Sequence, residues 1–262
     1  MSRHGTFVPL ITPLDQHGAV CRQSVAQLLA HSRHTASGYI PCLTSGEGWR
    51  LSAEQWQDML RFTLAEAGER SVIVGIERPT TAEVLDYARQ AEQLGASAIM
   101  LTSPFGAEVG QAAILEHYRR LHDSTELAIY IYNESALSGN ETAFATLLQI
   151  AELPRVVGIK DSSEHELSPA QIDALQARGL AYYIGWEHRL AGGMPADGNV
   201  VALANLEPML CRVAMDVATP ALQAEIRRLS EAYQLFSEDW YRYVKQALKA
   251  RGVIGSDRTV AA

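Results

Sequence analysis

Eight short apolar runs, most of them separated by a helix-like stretch, predict a TIM-type (β/α)₈ barrel with a short helical extension at its C-terminal end. Three observations carry this. The strand and helix patterns alternate, which calls for parallel strands with right-handed crossovers. The open doubly wound alternative would place a glycine-rich phosphate loop after its first strand, where this chain has Thr12-Pro13-Leu14-Asp15-Gln16-His17-Gly18. After Leu206 the pattern turns purely helical. The expected division is a barrel over 1–205 and an extension over 206–262, packed as one unit.

The predicted strands are Phe7–Ile11, Tyr39–Leu43, Ser71–Ile76, Ala98–Thr102, Leu127–Tyr132, Val156–Lys160, Ala181–Ile184 and Asn199–Leu203. Val25, Leu28 and Leu29 space the apolar stripe of a first helix. Ser52-Ala53-Glu54-Gln55 is a capping box that opens a second through Met59, Leu60 and Phe62. Thr80-Thr81-Ala82-Glu83 opens a third, stopped at Leu94-Gly95. Ile114, Leu115, Tyr118 and Leu121 mark the fourth. Helices over Thr142–Ala151 and Pro169–Ala177 follow, and Pro208–Val217, Pro220–Phe236 and Trp240–Arg251 make up the extension.

Composition narrows the function. A net charge of −8 without any Lys/Arg run argues against a nucleic-acid partner. No segment approaches about 18 uninterrupted apolar residues, so no membrane span is expected. The start, Met1-Ser2-Arg3-His4-Gly5, lacks a signal-peptide core, and Cys21, Cys42 and Cys211 read as reduced thiols. Both point to the cytoplasm. His31 and His34 stand three apart, but no carboxylate or cysteine completes a ligand set, so no metal is expected.

In a barrel, chemistry collects at the C-terminal strand ends. The sixth predicted strand, Val156-Val157-Gly158-Ile159, ends abruptly in Lys160. Burial would lower the pKa of that amine and free it as a nucleophile; the plainer alternative is a strand surfacing at a lysine. The second strand ends Leu43-Thr44-Ser45-Gly46-Glu47-Gly48, a pair of hydroxyls in a glycine-rich turn suited to a carboxylate, or simply a tight turn. Tyr130 and Tyr132 share one face of the fifth strand, and Tyr132 lies one βα unit before Lys160. An amine and a phenol facing one cavity fit imine chemistry.

These segments resemble the dihydrodipicolinate synthase/N-acetylneuraminate lyase family, from Gly5 to about Gly252. Thr44-Ser45-Gly46-Glu47 resembles its Gly-(Thr/Ser)-Thr-Gly-Glu motif, with Leu43 and Ser45 as departures. Tyr132-Asn133 and Gly158-Ile159-Lys160-Asp161 resemble its Tyr-Asn and Gly-Ile-Lys-Glu motifs. The resemblance implies a cofactor-free Schiff-base enzyme. Lys160 would join a 2-oxo acid such as pyruvate, Thr44, Ser45 and Gly46 would hold its carboxylate, and Tyr132 with Ser45 would move protons. It also implies a homodimer or homotetramer.

Departures bear on the second substrate, an aldehyde. Leu137 stands where synthases carry an arginine, and Ala136-Leu137-Ser138-Gly139 resembles the lyases instead. Gly106 falls where synthases borrow a relay tyrosine from a neighbouring subunit. Gly185-Trp186-Glu187-His188 takes the place of the lyases' acidic polyol-binding segment, so Gly185 and Glu187 are expected at the substrate. Val201, in the last predicted strand, completes that set. Arg78, after Glu77, is a candidate replacement for the missing arginine; a Glu77–Arg78 surface pair is the alternative. The expected activity is carbon–carbon bond formation or cleavage next to a 2-oxo acid. Imine-dependent dehydration of a sugar acid and non-catalytic oxo-acid binding stand as alternatives.

Overall fold

In the computed structural model of the chain, residues 4–260 are described; Met1–Arg3 and the last two alanines of the extension lie outside them. Nine strands form one all-parallel sheet: β1 (Gly5–Pro9), β2 (Ala36–Ile40), β3 (Ser71–Val72), β4 (Val74–Ile76), β5 (Ala98–Leu101), β6 (Ala128–Asn133), β7 (Val156–Asp161), β8 (Ala181–Ile184) and β9 (Gly198–Asn199). The sheet order is β3-β2-β1-β9-β8-β7-β6-β5-β4. Its two edges, β3 and β4, are successive pieces of a single stave parted at Ile73, so the sheet curls into a ring of eight staves. The predicted barrel is the observed fold.

The helices are α1 (Arg22–Ser32), α2 (Ala53–Glu66), α3 (Thr81–Gln93), α4 (Gln111–Ser124), α5 (Ser135–Ser138), α6 (Phe144–Ile150), α7 (Pro169–Gln176), α8 (Pro208–Val213), α9 (Pro220–Ala232) and α10 (Trp240–Ala250). The capping box at Ser52 forms, with Ser52 and Gln55 bonding each other's backbone N–H. Thr80 likewise caps α3. None of the helices is long and apolar enough to cross a membrane among the described residues.

Strand parity sorts the core into two shells. Val8, Tyr39, Val74, Ile99, Ile131, Ile159 and Tyr182 pack outward against the helices. Phe7, Ile40, Met100, Tyr130, Ala181, Tyr183 and Val200 fill the inside. Phe7 meets Tyr183 edge-on, 5.3 Å between ring centroids. A Cβ on Gly158 would lie 2.6 Å from the Tyr130 ring, so the glycine in the β7 motif makes room for an aromatic interior. Lys160, two residues on, points the same way, into the top of the barrel.

Three predicted strands are displaced. The first runs Gly5–Pro9 rather than Phe7–Ile11. The second runs Ala36–Ile40 rather than Tyr39–Leu43, because Cys42 adopts a left-handed backbone (φ 63°) that ends the strand. The last is only Gly198–Asn199. The apolar run after it continues as a buried 3₁₀ turn, Ala202–Asn205, whose Asn205 side chain bonds Ile11 N–H and the Pro9 carbonyl.

Candidate active site

Two of the sequence motifs meet through sheet register. Tyr132 pairs Lys160 and Asn133 pairs Asp161 across β6 and β7. Asp161 is fully buried and acts as a post: it accepts from Asn133 Nδ2 (3.2 Å), Tyr182 Oη (2.8 Å) and Ser163 Oγ (2.7 Å). The segment that carries the lysine is thereby braced on three sides.

The Lys160 ammonium nitrogen sits 3.8 Å from the centroid of the Tyr132 ring. Tyr132 Oη lies 3.2 Å from Thr44 Oγ1, which donates to Glu77 Oε1 at 2.5 Å. Burial lowers the Lys160 pKa to about 8, against the pull of the Glu77, Glu134 and Glu187 carboxylates. Burial also pushes Tyr132 well above the ordinary phenol value. Glu77 is raised to about 8, again by burial first, opposed by its Thr44 hydrogen bond. Glu134 and Glu187 are raised by burial as well.

Above these groups opens a cavity of about 330 Å³. It brings together Thr44, Ser45, Tyr132, Leu137, Lys160, Gly185 and Glu187. Thr44 and Ser45 open a 3₁₀ turn, Thr44–Gly46, so their N–H groups have no acceptor within it. Gly46 and Glu47 turn their own N–H groups back onto Leu43 O and Thr44 O.

Three expected residues lie outside the lining. Gly46 has no room for a side chain: a Cβ there would stand 2.7 Å from the Leu10 carbonyl oxygen and 2.9 Å from the Thr12 hydroxyl. Val201 belongs to the outer shell, and Val200 faces the cavity instead, because the strand parity falls one residue from the expected position. Arg78 is buried, and its guanidinium is spent elsewhere. Nη1 donates to Gly48 O (2.7 Å) and Glu77 O (2.8 Å), and Nη2 to Leu51 O (3.0 Å) and Tyr87 Oη (2.9 Å). It is neither a carboxylate clamp in the cavity nor half of a surface pair. Gly106 (φ 129°) is held by its N–H on Ser138 O and by Asn140 Nδ2 on its carbonyl.

Sequence reasoning missed one whole wall. Leu235, Ser237, Glu238, Asp239, Trp240 and Tyr241, from the α9–α10 connection and the start of α10, line the cavity with Trp49 and Trp186. The adjacent aromatic pair Trp240-Tyr241 after an acidic loop was the available signal. Among the described lining residues Lys160 is the one cation, against Glu134, Glu187, Glu238 and Asp239. Glu134 is pinned, accepting from Ala136 N (2.8 Å) and Leu137 N (2.9 Å). No group of three or more His, Cys, Asp or Glu suited to a metal ion occurs among the described residues.

The geometry agrees with the comparisons. The Dihydrodipicolinate synthetase family profile matches residues 2–259. The chain is 28% identical over 262 residues to a 4-hydroxy-tetrahydrodipicolinate synthase of Chlorobium limicola, covering 95% of this chain and 88% of that protein. A dihydrodipicolinate synthase structure from Bacteroides thetaiotaomicron superposes with a TM-score of 0.89 at 26% identity, covering 98% and 92% of the two chains. One from Acinetobacter baumannii, solved with pyruvate, gives 0.87 at 26% identity, covering 99% and 91%. A lysine-bearing strand end, its tyrosine neighbour and a near full-length match together establish that the chain belongs to the dihydrodipicolinate synthetase family.

Proposed function

We propose that this protein is a class I lyase or aldolase that joins a 2-oxo acid, such as pyruvate, to Lys160 and makes or breaks a C–C bond with an aldehyde. The observation that carries this reading is the stacking of the Lys160 amine on Tyr132, whose hydroxyl is bonded to Thr44 at the cavity floor. With a pKa near 8, a useful share of the amine is neutral at physiological pH. Its nitrogen adds to the ketone carbon. The hydroxyls and free N–H groups of Thr44 and Ser45 hold the acid's carboxylate. Tyr132 delivers a proton to the carbinolamine oxygen, water leaves, and an iminium remains. Loss of a C3 proton gives an enamine, whose carbon attacks the aldehyde; the reverse sequence cleaves. The iminium is the electron sink, so the chemistry requires no added cofactor.

The cavity walls favour an acceptor that carries hydroxyls or an amine over one with a second carboxylate. Leu137 offers no charge, and carboxylates outnumber Lys160 along the lining. Borohydride trapping with pyruvate, read by intact mass and peptide mapping, tests the reading. The expected result is one reduced adduct on Lys160, absent in Lys160→Ala. No adduct, or an adduct that persists in that variant, would refute it. An adduct without turnover of any aldehyde would favour an oxo-acid binder.

A further inference from the structure

Resting on that imine reading, we infer that Glu77 is the proton store of the active site, exchanging a proton with the substrate through Thr44 and Tyr132. The chain of contacts is continuous: Glu77 Oε1 to Thr44 Oγ1 at 2.5 Å, Thr44 Oγ1 to Tyr132 Oη at 3.2 Å, and Tyr132 against the Lys160 amine. Two hydroxyls alone can pass a proton but cannot keep or supply one. Tyr132 is held above the ordinary phenol range by burial, so it is not a phenolate at working pH. A threonine hydroxyl is weaker still as an acid. The group at the end of the line, a carboxyl, is the one that can change charge.

The surroundings suit that task. Glu77 is about 1% exposed. Its Oε2 is buried without a hydrogen-bond partner among the described residues. Arg78, next in sequence, spends its guanidinium on the Glu77 carbonyl and other backbone oxygens rather than on this carboxylate. The space for Glu77 exists because position 48 is glycine: a Cβ there would stand 2.8 Å from Glu77 Oε2 and 2.1 Å from Cys42 O. The charged and titratable groups around it are Lys160 on β7, Tyr132 and Glu134 on and after β6, Cys42 after β2, and Arg78 on its own segment. An unpaired carboxylate buried among other acids is held toward its neutral form. The Oε1–Oγ1 distance of 2.5 Å is within direct proton-transfer reach in either protonation state.

The protons balance over the donor half-reaction. Glu77 starts protonated and Lys160 neutral. The Thr44-to-Glu77 direction belongs to the ionised carboxylate; when Glu77 is protonated, its Oε1–H donates to Thr44, whose own O–H turns to Tyr132. As the carbinolamine C–O bond breaks, Tyr132 gives its proton to the departing oxygen, Thr44 gives its own to Tyr132, and Glu77 gives its own to Thr44. Water leaves, and an iminium cation and a Glu77 carboxylate remain. When the C3–H bond breaks, its electron pair forms the enamine and its proton returns along the same line. Glu77 is again protonated. Glu77 touches Thr44 rather than substrate, so it acts through its neighbours.

Exchange of the pyruvate methyl protons in D₂O, followed by proton NMR, reports this half-reaction without any aldehyde. Wild type is expected to give a bell-shaped pH profile. Its acid limb reflects loss of the free Lys160 amine and its alkaline limb ionisation of Glu77, with apparent values that belong to the pair. Glu77→Gln keeps the size and an acceptor oxygen for Thr44. Exchange should fall by about 100-fold and the alkaline limb should vanish. Borohydride trapping carried to completion should still mark Lys160, because reduction draws off the imine however its equilibrium is shifted by loss of the Glu77 charge. Glu77→Asp should restore part of the rate and the alkaline limb together. Exchange in Glu77→Gln within about threefold of wild type, an alkaline limb that survives, or no adduct after trapping to completion would overturn the relay while wild-type trapping leaves the imine intact. No wild-type adduct at all would overturn both.

Discussion

Lys245→Met tests how the C-terminal helices hold the candidate site. Lys245 on α10 and Glu47, the residue after Thr44-Ser45-Gly46, form an ion pair with both side chains fully buried. Glu47 also accepts from Val260 N–H at 2.7 Å, and Lys245 donates to the Arg258 carbonyl at 3.0 Å. Methionine matches the lysine stem in length, so packing is nearly kept while the charge is lost. Glu47 is then a buried carboxylate with one N–H donor, and removing one partner of such a pair costs about 3–5 kcal/mol. For a chain of this size that lowers Tm by on the order of 10 °C.

The loss carries a pH signature. Burial already raises the folded pKa of Glu47, with the Lys245 charge opposing it. Without Lys245 the folded value rises further above the unfolded one. A raised folded pKa means the folded state binds the extra proton. The penalty is therefore absent below the unfolded value, near about pH 4.3, and grows as pH rises toward the folded pKa. Thermal and urea unfolding at pH 4.5 and pH 7.5 should show a small loss at the lower pH and the full loss at the higher one. A loss below about 1 kcal/mol at pH 7.5, or the same loss at both, would refute the reasoning. Glu47→Leu combined with Lys245→Met should recover much of the stability, because it removes the stranded charge.

Arg78→Ala should lower stability by about 2–3 kcal/mol, because four hydrogen bonds to buried groups and the stack over Tyr87 (4.3 Å to the ring centroid) are lost together. Km values for acidic aldehydes should stay unchanged; a selective rise would put the guanidinium back at the substrate. Leu137→Arg places a cation on a lining otherwise dominated by carboxylates. The kcat/KM ratio of carboxylate-bearing to neutral aldehydes should shift toward the acidic partner by at least about tenfold, equivalent to about 1.4 kcal/mol. An unchanged ratio would mean that the acceptor does not reach this wall.

The barrel was legible because parallel staves buried on both faces leave contiguous apolar runs, and capped amphipathic helices such as the one opened by Ser52 leave their own mark between them. One end of the site was legible for a related reason: Tyr132 and Lys160 stand one residue before their strands stop, and Thr44 stands in the turn that follows β2. Elsewhere the sequence misleads in specific ways. Cys42 and Leu43 are buried in a turn, and burial alone reads as strand. Val200 and Val201 are both buried, and only the register of Gly198–Asn199 against β1 and β8 decides which of them faces the cavity. Glu77 and Arg78 look like neighbours that would pair. Their side chains part across the stave end, one toward Thr44 and the other toward Gly48 and Leu51.

The extension is built into the site rather than added to it. Tyr241 and Lys245 stand four apart, on one face of α10. Tyr241 lines the cavity, accepts from Arg50 Nη1 at 2.8 Å and donates to Asp239. Lys245 grips Glu47 from the same face. A single helix face therefore clamps the middle and the far end of the turn that runs from Thr44 through Arg50, and it lines part of the cavity at the same time. The strand ends that hold Lys160, Tyr132 and Asp161 are braced by sheet register and owe nothing to that face. Substitutions in 235–241 can thus reshape that wall of the cavity while the floor at Lys160 and Tyr132 stays in place. Changes at Lys245 or Glu47 reach the floor through Thr44 and Ser45. The two kinds of variant separate in one experiment: trapping of pyruvate at Lys160 should survive the first and weaken with the second.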